Sequence, residues 1–351
     1  MTKLNLQEYT VPDLNIPFIN REKEAEQILK WLTETETPWN HAVYGPWGCG
    51  KTELMKALAH TLQKEENITA IYIDLTKQEL ETSILAETDI KQALIDAAKT
   101  LLETHLKIPA NLTKTLEYLH KRISLKNKYL LLIADELTAT LNRYKISIRD
   151  YISALDKQIY EIKNQFKLKN ITTIIVTSEQ TAVFHFMKEE GKSLTVHQLW
   201  HLPKQHFTEL CRKLGAPENK INELWQLTGG SPRAIKEIKT VYNWNTEQWL
   251  QGIKTICTNI YLRVKNTPLE TYLKKIVENI DETIPPGTQL LRQEEKLTLE
   301  LYQQNIITPV QPPIKQLTPL PKENWIGRHH AWQLPAYPKI LKQLLTKSIK
   351  L

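Results

Sequence analysis

Only three of the 351 residues are cysteine. Cys49, Cys211 and Cys257 stand far apart, without the paired spacing that a zinc site needs. A disulfide framework and a structural zinc are therefore excluded, and a reducing compartment is the expected setting. No uninterrupted apolar run approaches roughly 18 residues, so no membrane span is expected. Residues 1–19 carry early charges and prolines and lack an apolar stretch of signal-peptide length. The protein is accordingly expected to be soluble and cytoplasmic. Internal repeats and low-complexity tracts are also missing, which leaves an ordinary globular protein.

A chain of 351 residues is too long for one ordinary domain and sufficient for two or three. Its net charge of +7 is unevenly placed. Between Gly252 and Leu351, 14 Lys and Arg face 8 Asp and Glu, an excess of six. That asymmetry points to a polyanionic partner at the C-terminal end, the plain alternative being a solvated basic surface.

Hydrophobic patterning divides the chain further. After the lead-in of residues 1–19, Asn20 is placed to cap a helix whose first turn holds Glu22 and Glu24, with Ile28, Leu29, Trp31 and Leu32 as its buried stripe. Apolar runs at residues 41–44, 69–74, 129–134 and 171–176 read as strands of a parallel sheet separated by helices, and residues 195–200 read as a fifth. This alternation predicts a three-layer α/β core over residues 20–202. Residues 203–245 turn helical and read as a lid, with proline and glycine punctuating the helix ends. Residues 246–351 read as helices followed by two strands around a proline-rich loop, a winged-helix-like arrangement.

Chemistry concentrates at Gly45-Pro46-Trp47-Gly48-Cys49-Gly50-Lys51-Thr52, which matches the phosphate-binding pattern G-x-x-x-x-G-K-[ST] between a strand and a helix. Glycines let backbone N–H groups point at phosphate, and the helix N-terminus adds its positive end. Lys51 would reach the β- and γ-phosphates of ATP, and the Thr52 hydroxyl would ligate Mg²⁺. The strand at residues 130–134 delivers Asp135 and Glu136. Asp135 would hold Mg²⁺ through its water shell, and Glu136 would polarise the attacking water. Glu directly after Asp favours ATP hydrolysis over the GTPase pattern. Thr177 or Ser178, at the end of the next strand, would sense the γ-phosphate. Arg233, in the first turn of a helix after Thr228-Gly229-Gly230-Ser231-Pro232, could swing onto it when a lid closes.

Together with Phe18-Ile19-Asn20-Arg21-Glu22-Lys23-Glu24 and Ile71-Tyr72-Ile73-Asp74-Leu75, these motifs resemble the archaeal-type ATPases of the STAND and AAA+ assemblage over residues 16–242. The layout is also similar to that of archaeal replication initiators. The resemblance implies a P-loop NTPase core of ASCE/AAA+ type, a helical lid and an appended winged-helix domain. It further implies dependence on ATP, while partners do not carry over from it; a homo-oligomer or larger protein assembly is expected separately. Arg143 and Arg149 are the candidates for an arginine finger.

In a winged helix, the helix at residues 293–304 would enter the major groove, with Arg292, Lys296 and Gln303 meeting phosphate or base edges. Glu294, Glu295 and Glu300 share that helix and oppose phosphate binding. A wing carrying Lys315, Lys322, Arg328, His329 and His330 around Trp325 is the better place for duplex DNA. Two functions follow. One is a slow or partner-stimulated ATPase that assembles on DNA in replication, transposition or regulation. The other is a STAND-type signalling switch whose tail packs on the lid or docks protein.

Overall fold

The structure, a computed structural model, describes residues 4–77, 83–92, 125–143, 145–192, 194–285 and 293–347. The chain forms two compact units. The first comprises residues up to Tyr44, Lys51–Ser178 and Ala182–His197. The second comprises Gly45–Gly50, Glu179–Thr181 and Gln198–Leu351.

The first unit opens with a small antiparallel pair, β1 (Thr10–Val11) and β2 (Ile16–Pro17). It is then built on β3 (Trp39–Tyr44), β4 (Ile68–Asp74), β5 (Ile84–Leu85), β6 (Tyr129–Asp135), β7 (Asn170–Val176) and β8 (Leu194–Gln198), in the spatial order β8-β3-β7-β6-β4-β5. The pairs β3–β7, β6–β7 and β4–β6 are parallel, as the apolar runs predict, while the short β5 joins β4 antiparallel at the edge. All seven residues of β7 are buried, so the sheet is covered on both faces there. The cover comes from α1 (Glu22–Thr33) on β6 and β7, α2 (Lys51–Leu62) on β4, and α4 (Ile148–Phe166) on β3 and β7. Two short helices, α3 (Leu137–Arg143) and α5 (Ala182–Lys188), follow β6 and β7. Trp31 of α1 stacks at 4.1 Å on both His41 of β3 and His197 of β8, and His41 Nδ1 lies 3.0 Å from His197 Nε2.

Two expectations need correction. Asn20 does not cap α1; Arg21 occupies that position in left-handed backbone with no side-chain cap, and Asn20 itself has φ 62°. The buried Arg21 guanidinium instead turns inward onto Glu24 at 2.8 Å. The fifth strand also stops at Gln198, so Leu199 and Trp200 lie beyond it.

The second unit begins with α6 (Lys204–Lys213), α7 (Ile221–Thr228) and α8 (Pro232–Thr240). Its helices end and start where local chemistry dictates. Gly229 takes the left-handed position closing α7, Ser231 accepts from the Ala234 N–H at the start of α8, and Pro232 fills the first turn. Four longer helices follow: α9 (Thr246–Val264), α10 (Pro268–Glu278), α11 (Gln293–Gln303) and α12 (Ala336–Lys347). Between α11 and α12 lie β9 (Ile307–Pro309), the short β10 (Lys315–Gln316) and β11 (His330–Trp332). The strands β9 and β11 pair antiparallel with Ala331 opposite Thr308. Helix α12 packs mainly on α9, and Phe207, Trp225 and Trp325 meet edge to face within the unit. Among the described residues, no helix is long and apolar enough to cross a membrane.

Candidate nucleotide site

Parallel strands bring their C-terminal ends together, and that edge collects the polar residues the motifs single out. Asp135, the last residue of β6, stands beside Asp74 of β4 and Val176 of β7. It is 1% exposed. Its Oδ2 accepts a 2.8 Å hydrogen bond from the hydroxyl of Tyr72. Its Oδ1 is buried with no hydrogen-bond partner. Burial pushes the Asp135 carboxyl above its ordinary range. Hydrogen bonds from Thr52 and Tyr72 pull it back, Glu136 adds to the rise, and the Lys51 charge opposes it. Burial and the neighbouring Asp135 in turn raise the Tyr72 phenol.

An orphaned carboxylate oxygen beside a threonine hydroxyl and a buried lysine is an unusual arrangement to bury. Such a group costs about 1–3 kcal/mol when left unsatisfied. A small divalent cation would satisfy it, and hard oxygen donors suit Mg²⁺. The residues present therefore fit the ion and the phosphates that the motif implies.

Glu136 follows in left-handed backbone, φ 56°, and its N–H donates to Val176 O at 2.9 Å. The Ser178 hydroxyl donates to the Glu136 carboxylate. Thr177 is buried; its Oγ1 lies 2.8 Å from Thr138 Oγ1 and its N–H donates to Val43 O. Of the two sensor candidates, Ser178 thus reaches Glu136, whereas the Thr177 hydroxyl faces Thr138. Lys51, at the start of α2, is buried.

Residues 45–50 belong to the second unit together with Arg233. The Arg233 guanidinium lies 3.6 Å from the centre of the Trp47 ring, and the backbone N–H of Arg233 donates to Gly48 O at 3.3 Å. Gly48 has φ +76°, and a side chain there would run into that of Arg233. A side chain at Gly45 would collide with the Leu199 carbonyl, while Gly50 faces open space. Pro46 precedes the exposed Trp47, and the Cys49 thiol donates to Leu199 O at 3.3 Å. Among the finger candidates, Arg143 is exposed at the end of α3, and Arg149 lies 3.8 Å from Glu189.

The C-terminal candidates separate by burial. Lys296, Gln303, Lys315, Lys322 and Arg328 are exposed; Arg292 lies outside the described residues. His330 is removed from the basic wing, because it is 1% exposed and burial holds its imidazole down at about 4, so it is neutral near pH 7. Trp325 is buried as well. The acidic objection to α11 also weakens. Glu295 is fully buried, and Glu300 accepts from Arg263 and Gln304. Tyr72 escapes sequence reasoning as a site residue, since it reads there as one more apolar position on β4.

Residues 18–238 match the family described as an ATPase domain predominantly from Archaea. No curated protein matches the chain. Among solved structures, the chain is similar to the ORC2 protein of Aeropyrum pernix, a structure of its ADPNP-ADP complexes, at 13% identity, covering 97% of each chain, with a TM-score of 0.46. It is similar to CDC6p of Pyrobaculum aerophilum at 14% identity, covering 97% of this chain and 96% of that one, with a TM-score of 0.44. Domain III of the Thermotoga maritima replication initiation protein DnaA matches at 17% identity, covering 70% of this chain and 92% of that one, with a TM-score of 0.38.

Proposed function

Because the chain belongs to this family of ATPase domains found predominantly in Archaea, we propose that residues 45–52 bind ATP with Mg²⁺ and that the protein hydrolyses it to ADP and phosphate. The observation that carries this reading is the buried Asp135 carboxylate, with an oxygen left over and Lys51 and Thr52 beside it. In this reading Mg²⁺ supplies charge neutralisation at the phosphates. Thr52 and Asp135 hold it, and Tyr72 fixes the carboxylate's orientation. Lys51 pairs with the phosphate oxygens. Glu136 holds the attacking water and takes its proton, and the Ser178 hydroxyl keeps that carboxylate aimed. Arg233 reads the terminal phosphate after leaving the Trp47 ring. Lys51→Ala is expected to lose ATP binding, while Glu136→Gln should bind ATP and not turn it over. Undiminished turnover in Glu136→Gln refutes the assignment.

For the output we favour assembly on double-stranded DNA through the C-terminal part, with residues 20–202 as core, 203–245 as lid and 246–351 as the DNA-associated domain. The support is the exposed set Lys296, Lys315, Lys322 and Arg328 together with the burial or pairing of Glu295 and Glu300. A salt titration of duplex binding by the full chain tests it, because phosphate contacts weaken steeply with salt. Absence of binding at low salt removes this output. The second reading, a signalling switch of STAND type, is supported by the contact of Arg233, in the proposed lid, with Trp47. ATP turnover that DNA does not stimulate would leave that reading standing.

A further inference from the structure

The first half of the phosphate loop is held by side chains that come from far along the sequence. The N–H of Trp47 donates to Gln333 Oε1 at 2.8 Å, a bond spanning 286 positions. Gln333 follows β11, is 2% exposed and has its whole amide committed. Its Nε2 donates to Ile307 O on β9 at 3.2 Å, its backbone N–H donates to Ile306 O at 2.8 Å, and its carbonyl accepts from His201 Nε2 at 3.0 Å. Flipping the amide would set two donors face to face at Trp47 and two acceptors at Ile307, so its orientation is fixed by its partners.

A second line runs from the same ribbon. Thr308 of β9 donates to Gln180 Oε1 at 2.6 Å, and Gln180 Nε2 donates to Gly45 O at 3.0 Å. All of these residues belong to the second unit. The β9–β11 ribbon thus grips the loop at Gly45 and at Trp47, two residues apart, through neutral buried amides that are hydrogen-bonded at both their oxygen and their nitrogen. Satisfied buried networks of this kind hold one geometry, and breaking one member leaves a buried donor or acceptor orphaned.

We propose that Gln333 is a positioning residue for the phosphate loop, and that the β9–β11 ribbon, through Gln333 and the Thr308–Gln180 relay, sets how fast nucleotide leaves the site. This rests on the reading of residues 45–52 as the nucleotide site. Backbone N–H groups that bind phosphate work by being held in place before the ligand arrives. Releasing either grip point loosens the loop, and the nucleotide then dissociates faster. Any partner that pulls on the ribbon would act on the nucleotide by the same route.

The test uses the full chain and two shape-conserving variants, Gln333→Met and Thr308→Val. Two readouts are taken: hydrogen exchange at residues 45–50 without nucleotide, and release of the fluorescent analogue mant-ADP followed by stopped flow. We expect loop exchange and mant-ADP release to rise by about tenfold in Gln333→Met, which loses the bonds to Trp47 and Ile307, and about threefold in Thr308→Val, which loses the one to Gln180, as loss of buried hydrogen bonds implies. Melting temperatures should fall by a few degrees at most. Unchanged loop exchange in both variants overturns the grip. Faster exchange with parental mant-ADP release overturns its control of the nucleotide. A parent chain that takes up no mant-ADP overturns the nucleotide reading itself, and the exchange arm still reports separately whether Gln333 holds the loop. Should Gln333→Met fail to fold, Thr308→Val, far from the loop in sequence and milder in chemistry, decides alone.

Discussion

Replacing Asp135 by asparagine should make the nucleotide-free protein more stable while removing its activity. The buried carboxyl has its pKa raised above the ordinary 3.8, chiefly by burial. A raised folded-state value means that the folded protein holds the neutral form better than the charged one relative to the unfolded chain. Asparagine has the shape of the neutral form. At neutral pH the parent bears the cost of a buried carboxyl with one orphaned oxygen, an effect of about 1–3 kcal/mol. Melting should therefore rise by about 2–12 °C, at about 2–4 °C per kcal/mol for a unit of this size. The sign follows from linkage. The parent's stability deficit is present at neutral pH, shrinks as pH falls through the folded pKa of Asp135, and is gone below 3.8, where both states carry the neutral acid. Thermal melts in EDTA between pH 7 and pH 4 provide the assay, with Mg-ATP added in a second series. In that series the parent should gain stability and Asp135→Asn should not, because on the proposed assignment only the parent would hold the cation. An Asp135→Asn protein that melts lower than the parent at pH 7, or by a margin independent of pH, refutes the reasoning.

His330 makes the opposite prediction for the second unit. Its pKa is lowered from 6.5 to about 4 by burial, so stability should be fully present above 6.5 and decline as pH falls toward 4, by roughly 3 kcal/mol at most. His330→Phe should flatten that decline in acid melts; an unchanged slope would show that another group carries it. Ser178→Ala should bind ATP with parental affinity and turn it over about tenfold to a hundredfold more slowly, measured in single-turnover assays, since the hydroxyl acts through Glu136. Loss of affinity instead would place Ser178 in binding. Glu295→Met, which removes a fully buried carboxylate whose two oxygens have no hydrogen-bond partner, should raise the melting temperature of the chain by a few degrees, about 1–3 kcal/mol. A lower melting temperature would mean that the carboxylate has a structural task.

What could be read in the chain beforehand was what is local in it. The phosphate loop, the strand ending in Asp135 and the turn before Arg233 each carry their signal within about ten residues, because periodicity and capping are short-range effects. Four strands of the sheet are where the apolar runs place them, and β8 fell short because an apolar run reports hydrophobicity while pairing is decided by the packed chain: Leu199 and Trp200 are as buried as β8 and yet lie beyond it. One member of the basic wing, His330, misled for the same reason. His329 and His330 are adjacent and alike in sequence, yet one is partly exposed and the other buried, and burial is a property of the packed chain.

The residues that sequence could not supply are the ones that act across long separations. Tyr72 reaches Asp135 over 63 positions and Gln333 reaches Trp47 over 286; neither tyrosine on a strand nor glutamine after one has a pattern that marks it. This division has a physical consequence for how such a loop is controlled. A motif supplies the backbone N–H groups and the lysine, but their placement depends on what the outer side of the loop leans on. Here residues 45–50 lean on Arg233, Gln180, Leu199 and Gln333, all within the second unit, whereas Lys51 and Thr52 begin a helix of the first. Gly50 closes that stretch. With φ +97° and open space around it, it holds a backbone conformation that glycine alone adopts without strain. Gly50→Ala should for that reason impair nucleotide binding through the backbone alone. Its side chain would meet nothing, so a Gly50→Ala protein that binds mant-ADP like the parent would show that this left-handed backbone is not needed for binding.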